Sequence, residues 1–386
     1  MSRKPRRKYH YPWRSGNHFE LLIDAPEFYP AMLTAINQAR HYILLEMYLV
    51  SSGVVSNRFV MALTQAADRG VRVRLLFDNF GALGFAGEDR ERLHRAGVEV
   101  EYYNPLSLLK LTDYLSRDHR KLLLVDGEIA FVGGAGLTDD FDPPDAPATR
   151  WRETMISIRG PVVADWKASF EDLWHRSDKL RRPLIKDAGV HGDDGPGQMA
   201  GRLTLIRGPT TQEIKRSLLR QVGIARDRLW IATPYFIPSW RIRRALRRAA
   251  RRGLDVRLLL SGPVTDHPAV RYAGRRYYGR LLASGVRIFE YQSRVLHQKA
   301  VLCDQWASIG SCNLDRWNLR WNLEANQEID DAGFSARLKQ MFENDFSHCT
   351  EISPGDWKNR PWLSRLAESW WGRVDLWLSH LGRGRS

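Results

Sequence analysis

The sequence predicts an α/β protein of two similar domains, each a mixed, largely parallel sheet flanked by helices, the pair related by an approximate twofold axis. Three observations lead there. Short β-rich runs alternate with helical stretches, glycines punctuate the helix ends, and the same order of elements occurs twice along the 386 residues. Such alternation is the pattern of sheets covered by helices on both faces.

In the first half the periodicity predicts a helix over 31–39, a strand over 42–48 and a helix over 59–69. Gly70 then precedes a strand over 71–78, and a helix over 88–96 ends at Gly97 before a strand over 98–102. The second half repeats the order: helix 213–225, strand 229–235, helix 241–251, Gly253, strand 254–260, helix 271–283, Gly285 and strand 286–291. The chain divides into a basic tail (1–17), a first domain (18–180), a linker rich in turn formers (181–201), a second domain (202–350) and a Trp-rich C-terminal segment (351–386).

Each half closes on the same short pattern. His119-Arg120-Lys121 is followed, after four residues, by Asp126, and His297-Gln298-Lys299 likewise by Asp304. The apolar interiors make both patterns strands, so His119 and Lys121 share a face, as do His297 and Lys299. A histidine beside a fixed cation suits a phosphate ester: one attacks or moves a proton while the other neutralises phosphoryl oxygens. The competing explanation, two core strands with cations at their ends, would bury unpaired charge at high cost. Asp126 and Asp304 stand an odd number of residues beyond their histidines and face away from them, so they are expected to fix a turn or a neighbouring strand.

Charge and composition narrow the partners. The formal net charge of +15 predicts attraction to polyanions, for which nucleic acid and anionic lipid both qualify. Cys303, Cys312 and Cys349 form neither a disulfide framework nor a metal-ligand spacing. The basic N-terminus lacks an apolar run after it, so it is not a secretory signal. No stretch approaches the roughly 20 apolar residues of a membrane span. Trp362, Leu366, Trp370, Val374, Trp377 and Leu381 recur at helical spacing, with Arg365, Trp371 and Arg373 alongside. That face suits the headgroup region of a membrane or the protein's own core.

The doubled motif, with Gly133-Gly134 trailing the first copy and Gly310-Ser311-Cys312-Asn313 the second, resembles the phospholipase D superfamily. Tyr235-Phe236-Ile237-Pro238, Leu76-Phe77-Asp78-Asn79-Phe80-Gly81, Asn104-Pro105 and Arg159-Gly160-Pro161 are similar to the bacterial cardiolipin synthase branch, in its short form without N-terminal membrane spans. The resemblance covers roughly residues 18–350. It implies two phospholipase D-like domains and a catalytic set of His119, Lys121, Asp126, His297, Lys299, Asp304, Glu153 and Glu324, with Asn313 and Ser311 binding substrate.

In the family's usual assignment His119 attacks phosphorus and His297 serves as acid and base, with Glu153 and Glu324 as orienting carboxylates. No metal or other cofactor is implied. Gly136 stands where the family often has Asn, so the first half supplies one phosphate donor fewer. The implied reaction forms cardiolipin from phosphatidylglycerol and a second phospholipid through a phosphohistidine. Hydrolysis of phospholipids, or nuclease or phosphodiesterase activity on the same scaffold, is the alternative. The implied partners are an anionic membrane surface and phosphatidylglycerol or related phospholipids, with no nucleic acid, and the implied location is peripheral on the cytoplasmic face of the cell membrane.

Overall fold

A computed structural model describes residues 9–105, 116–178, 180, 182–185, 195–316, 318–362, 365, 366, 368, 370, 371 and 373. The first half runs β1 (Arg14–Ile23), α1 (Ala25–Gln38), β2 (Tyr42–Met47), α2 (Val54–Asp68), β3 (Arg72–Asp78), α3 (Gly87–Arg95), β4 (Glu99–Tyr103), β5 (Leu122–Val125), β6 (Ile129–Gly133), β7 (Thr154–Arg159) and α4 (Val162–Ser177). The second runs β8 (Met199–Arg207), β9 (Thr211–Gln212), α5 (Glu213–Ile224), β10 (Arg228–Thr233), α6 (Trp240–Arg251), β11 (Asp255–Ser261), α7 (Pro268–Arg275), α8 (Tyr278–Leu282), β12 (Arg287–Tyr291), β13 (Ala300–Cys303), β14 (Trp306–Gly310), α9 (Asn318–Trp321), β15 (Leu323–Asp330), α10 (Ala332–Ser347), β16 (Cys349–Glu351) and α11 (Pro354–Asn359).

The strands form one mixed sheet. Its order is β16-β12-β11-β10-β13-β14-β15-β8-β1-β7-β6-β5-β2-β3-β4, with β9 beside β8. Strand β1 joins the halves, pairing with β7 over residues 18–23 and with β8 at Arg14–Gly201 and Asn17–Met199. Among the described strands, parallel ladders join β2-β3-β4 and β10-β11-β12, and the other strand pairs are antiparallel. The motif strands β5 and β13 instead open antiparallel hairpins with β6 and β14. Helix–strand alternation marks crossovers but not tight hairpins, so it overstates the parallel share.

One central core serves both halves. It gathers Leu44, Leu122, Trp166 and Phe170 from the first half with Leu203, Leu302, Phe334 and Phe342 from the second. Across it the indole N–H of Trp166 on α4 donates to Gln327 of β15 at 2.8 Å. Each half also keeps an outer core beneath its own helices. The cysteines carry no disulfide: Cys303 and Cys312 are buried and Cys349 is partly buried.

Several elements differ from their expected limits: β1 begins at Arg14, inside the expected tail, and α2 begins at Val54 rather than residue 59. Helix α1 begins at Ala25 rather than residue 31 and contains Pro30. Pro30 costs about 3 kcal/mol of helix stability, but burying Phe28, Tyr29, Met32 and Ile36 returns about 1.5–3 kcal/mol each. The helix expected over 271–283 is broken between α7 and α8. The break turns Tyr278 inward, where its hydroxyl donates to Glu290 at 3.1 Å. In the C-terminal segment Trp362, Leu366 and Trp370 are exposed while Glu368 is buried; Val374, Trp377 and Leu381 lie outside the described residues, as do residues 1–8 of the basic tail and residues 181 and 186–194 of the linker. No helix among the described residues is long and apolar enough to cross a membrane.

The motif aspartates sit at the ends of the motif strands, in left-handed backbone (φ 54° at Asp126, 51° at Asp304). The Asp126 carboxylate accepts the N–H groups of Arg40, His41 and Tyr42, each at 2.8 Å, where β2 begins. Asp304 accepts those of Arg226, Asp227 and Arg228 at 2.8, 3.1 and 3.0 Å, where β10 begins. Each one thus fastens the neighbouring strand to the motif strand. Asp126→Ala is expected to lower stability by about 2–3 kcal/mol, because it leaves three N–H groups without their acceptor and places a β-carbon without a polar partner at positive φ. Urea unfolding followed by circular dichroism measures it.

Candidate active site

The site is built where each half reaches into the other. The segment before β5 crosses to β15: the His119 N–H donates to the Leu323 carbonyl at 3.0 Å, and the Leu323 N–H to the Arg117 carbonyl at 2.8 Å. The segment before β13 crosses to the lead-in of β7: the N–H groups of His297 and Gln298 donate to the Arg152 carbonyl at 2.9 and 3.1 Å, and the Arg152 N–H to the Val295 carbonyl at 2.8 Å. The resulting bridges, Asp118–Leu323 and Leu296–Arg152, map onto one another when the halves are exchanged. The histidines and lysines therefore lie in extended lead-in segments, one step before the ladder, rather than inside β5 and β13. The backbone N–H of each histidine is bonded to the opposite half, which a regular place in its own sheet would prevent.

Buried charge networks hold these segments. Arg152 forms a two-pronged pair with Asp345 of α10, both contacts at 2.8 Å, and donates to the Glu153 carbonyl at 2.7 Å. Gln298 donates to Asp345 at 2.9 Å and accepts from Thr154 at 2.8 Å. On the other side Arg120 pairs with Glu46 at 2.5 Å and Asp118 at 3.2 Å and donates to Ser169 at 2.7 Å. Asp78 accepts the N–H groups of Phe80, Gly81 and Asp118 at 3.0, 3.0 and 2.9 Å, which fixes the approach to His119.

The crossing pairs each histidine with the other half's glutamate. His119 Nδ1 lies 3.1 Å from both carboxylate oxygens of Glu324 and 3.2 Å from the Ser311 carbonyl. His297 Nδ1 lies 2.6 Å from Glu153. An acceptor at Nδ1 places the ring proton there and leaves the Nε2 lone pair for chemistry. No described residue bonds Nε2 of His119. The Lys299 ammonium lies against the His297 ring, 2.9 Å from Nδ1 and 3.2 Å from Nε2, so Nδ1 of His297 faces this donor as well as Glu153. Each lysine also donates to the carbonyl of its own histidine, at 2.6 Å for Lys121, and Lys299 lies 3.7 Å from Glu153.

Both histidines, both lysines and both glutamates are buried. Burial, opposed by Glu324, lowers the His119 pKa and brings that of Lys121 down to about 7. Burial and then the Lys299 ammonium hold His297 well below the usual imidazole range. Burial also lowers Lys299, against the pull of Glu153, and raises Glu153 to about 7. Two lysines and two imidazoles confined together oppose one another's protonation, and an anion among them would favour their charged forms.

The remaining predicted residues divide. Ser311 donates its hydroxyl to Glu324 and accepts the Ala325 N–H at 3.1 Å, so it supports the carboxylate behind His119. The Asn313 amide is buried with neither its nitrogen nor its oxygen hydrogen-bonded, a cost of about 1–3 kcal/mol that a bound oxygen would remove. Asp126 and Asp304, grouped with the catalytic set by the motif, hold strand starts instead and take no part in the histidine–lysine cluster, because seven residues of extended chain carry them to the far end of the hairpin. The segments after the two motifs differ: Gly136 stands where the second half has Asn313, and Gly134 where it has Ser311, and a β-carbon at Gly134 would collide with the Glu153 carboxylate.

Aromatic walls were not singled out by the motif. Tyr48 meets the His119 ring edge-on at 4.7 Å and lies 5.0 Å from the Lys121 ammonium. Trp151 and Phe141 flank His297 at 5.1 and 5.5 Å. The available signal was position: Trp151 stands two residues before Glu153, and Tyr48 follows directly after β2.

The family described as cardiolipin synthase, PLD-like domain, matches residues 32–174 and 218–346, one motif in each segment. Cardiolipin synthase A of Pseudomonas aeruginosa is 33% identical over 360 residues, spanning 92% of this chain and 72% of that protein. Cardiolipin synthase B of Salmonella typhimurium is 34% identical over 357 residues, 91% of this chain and 86% of that protein. The crystal structure of phosphatidylserine synthase from Haemophilus influenzae superposes with a TM-score of 0.71 at 12% identity, covering 89% of this chain and 90% of that one, a likeness of fold.

The crossed pairing has a spectroscopic consequence. Glu324→Gln should lower the His119 pKa further and leave that of His297 nearly unmoved, although Glu324 and His297 belong to the same half. Histidine-selective NMR titration of the variant tests this.

Proposed function

We propose, because this chain belongs to the cardiolipin synthase family of PLD-like phosphatidyltransferases, that it makes cardiolipin by moving the phosphatidyl group of phosphatidylglycerol to a hydroxyl of a second phospholipid. The observation that carries this proposal is the crossed cluster itself: two histidines with carboxylates from the opposite halves and two lysines, all buried and within electrostatic reach of one another.

His119 is assigned as nucleophile. Glu324 and the Ser311 carbonyl hold its proton at Nδ1, so Nε2 faces the substrate with its lone pair. As Nε2 bonds to phosphorus, the bond to the glycerol oxygen breaks, and His297 gives that oxygen a proton. The negative phosphodiester favours the imidazolium form of His297 that this step needs, and draws Lys299 off the imidazole ring. In the second step the acceptor hydroxyl attacks phosphorus, gives its proton back to His297, and the bond to His119 breaks. Lys121, Lys299 and the Asn313 amide bind the phosphoryl oxygens as their charge grows. Glu153 and Glu324 orient the two rings. Tyr48, Trp151 and Phe141 present apolar surface beside the reacting atoms, which limits the access of water that would hydrolyse the intermediate. The enzyme would work peripherally, at an anionic lipid surface on the cytoplasmic face of the membrane.

Incubation with labelled phosphatidylglycerol should give cardiolipin and free glycerol. His119→Ala and His297→Ala should each reduce the rate roughly 10³–10⁴-fold. With the label in the phosphatidyl group, wild type quenched in alkaline detergent, which preserves the acid-labile P–N bond, should carry label on protein, and His119→Ala should not. Phosphatidic acid as the sole product would make the enzyme a hydrolase.

Anion affinity reports the lysine. Lys121, with its pKa lowered to about 7 by burial, loses its charge above that pH. Affinity for sulfate, a dianion that does not titrate in this range, should therefore fall by up to about tenfold per pH unit above about pH 7. Lys121→Met should weaken binding and flatten that dependence, as read by calorimetry across pH.

A further inference from the structure

Helix α6 is basic beyond what its fold requires. Six of its twelve residues are arginine and none is acidic. Ile242, Leu246 and Ala249 form its buried face. The arginines recur at i and i+4, as 243/247, 244/248 and 247/251, an arrangement that destabilises a helix through like-charge repulsion. Against the helix lies a groove of about 390 Å³, lined by Arg243, Arg247, Arg251, Arg280, Tyr277 and Trp240, among others. No carboxylate among the described residues lines it. Arg243 and Arg276 lie over the ring of Tyr277, at 4.3 and 4.6 Å, and the Arg243 Nε is buried without a hydrogen-bond acceptor. Burial and the nearby guanidinium groups of Arg276, Arg280 and Arg316 disfavour the charged form of Arg243.

The groove connects to two other features. Its Trp240 end adjoins the catalytic side of the sheet, because the loop before α6 accepts the Arg316 N–H at the Ile237 carbonyl at 3.1 Å, three residues beyond Asn313. The α7–α8 pair that supplies Tyr277 and Arg280 also holds the C-terminal segment, through Arg275–Glu368 at 3.1 Å and the contact of Tyr278 with Trp357 at 5.2 Å. That segment turns Trp362, Leu366 and Trp370 outward, 67%, 57% and 66% exposed, and Trp240 is 60% exposed. Exposed tryptophans beside clustered arginines fit the headgroup layer of a membrane, where indole rings settle and guanidinium groups meet phosphates.

We propose that the α6–α8 arginine groove is a non-catalytic docking surface for anionic phospholipid headgroups, which seats the enzyme on the membrane with the catalytic cleft beside the lipid plane. It rests on the lipid substrate assigned above, and its occupant is a membrane-borne phosphodiester, distinct from the one undergoing transfer.

The test compares two charge-matched triple variants of the full chain. One is Arg244→Glu, Arg248→Glu and Arg251→Glu, on exposed positions of α6; the other is Arg40→Glu, Arg72→Glu and Arg95→Glu, on exposed positions of the first half. Sedimentation with phosphatidylcholine vesicles, with and without phosphatidylglycerol, reads binding. The α6 triple should lose about 10²-fold in affinity for the phosphatidylglycerol vesicles, and the control triple should lose several-fold less. Turnover of phosphatidylglycerol dispersed in detergent micelles should stay within about twofold of wild type for both. Should the α6 triple melt early, Arg→Gln at the same three positions replaces it, with the same loss expected.

Equal losses in the two triples would reduce the effect to net charge and overturn the proposal, as would unchanged vesicle binding by the α6 triple. Displacement of wild type from vesicles by equimolar inorganic phosphate would make the groove a site for free phosphate. Tighter binding of single-stranded DNA than of vesicles, lost in the α6 triple, would assign the surface to nucleic acid. Absence of micellar turnover in wild type would refute the substrate assignment rather than the docking surface.

Discussion

The exchange of backbone between the halves is the constraint on which the rest depends. Hydrogen bonds between Leu323 and both Arg117 and His119, and from His297 and Gln298 to Arg152, tie the lead-in of each motif strand to the other half. They fix where the imidazoles stand before any side-chain contact is made. The shared core of Trp166, Phe170, Phe334 and Phe342, with β1 paired to both β7 and β8, supplies the rigidity that this exchange requires. Each carboxylate then meets the histidine of the opposite half as a geometric result of the crossing.

The electrostatics follow from the same packing. Burying His119, Lys121, His297 and Lys299 would be prohibitive without countercharges, and Glu153 and Glu324 supply two. Two carboxylates against two lysines leave the imidazoles held neutral in the free protein, in line with their lowered pKa values. A negative phosphodiester is the species that lets these groups recover their protons. The unbonded Asn313 amide adds a neutral donor to that demand for a ligand oxygen.

Much of this was legible in the chain. The repeat and the glycine-ended helices pointed to two similar halves, and the doubled His-x-Lys pattern pointed to the histidines and lysines that the structure buries together, because periodicity and short spacing are local properties. Contacts between halves are not. Strand β1 carries no motif, yet it joins the sheets, and nothing between residues 14 and 23 announces two partners. The pairing of Glu324 with His119 spans 205 positions, beyond the reach of any spacing rule. Helix α1 extends through Pro30 because tertiary burial outweighs local propensity. The odd offset of Asp126 and Asp304 from their histidines did place those carboxylates away from the chemistry, since strand geometry is short-range.

One departure from twofold likeness, Gly134 opposite Ser311, makes the two halves of the cleft unequal tools. One carboxylate is steadied by a hydroxyl, and the other is packed against bare backbone with no room for a side chain. A serine could not be grafted at Gly134 without moving Glu153, so the pocket has been locked into a handedness. A molecule entering it meets a distinguishable left and right, as is required of a catalyst that must treat two chemically similar lipids as donor and recipient.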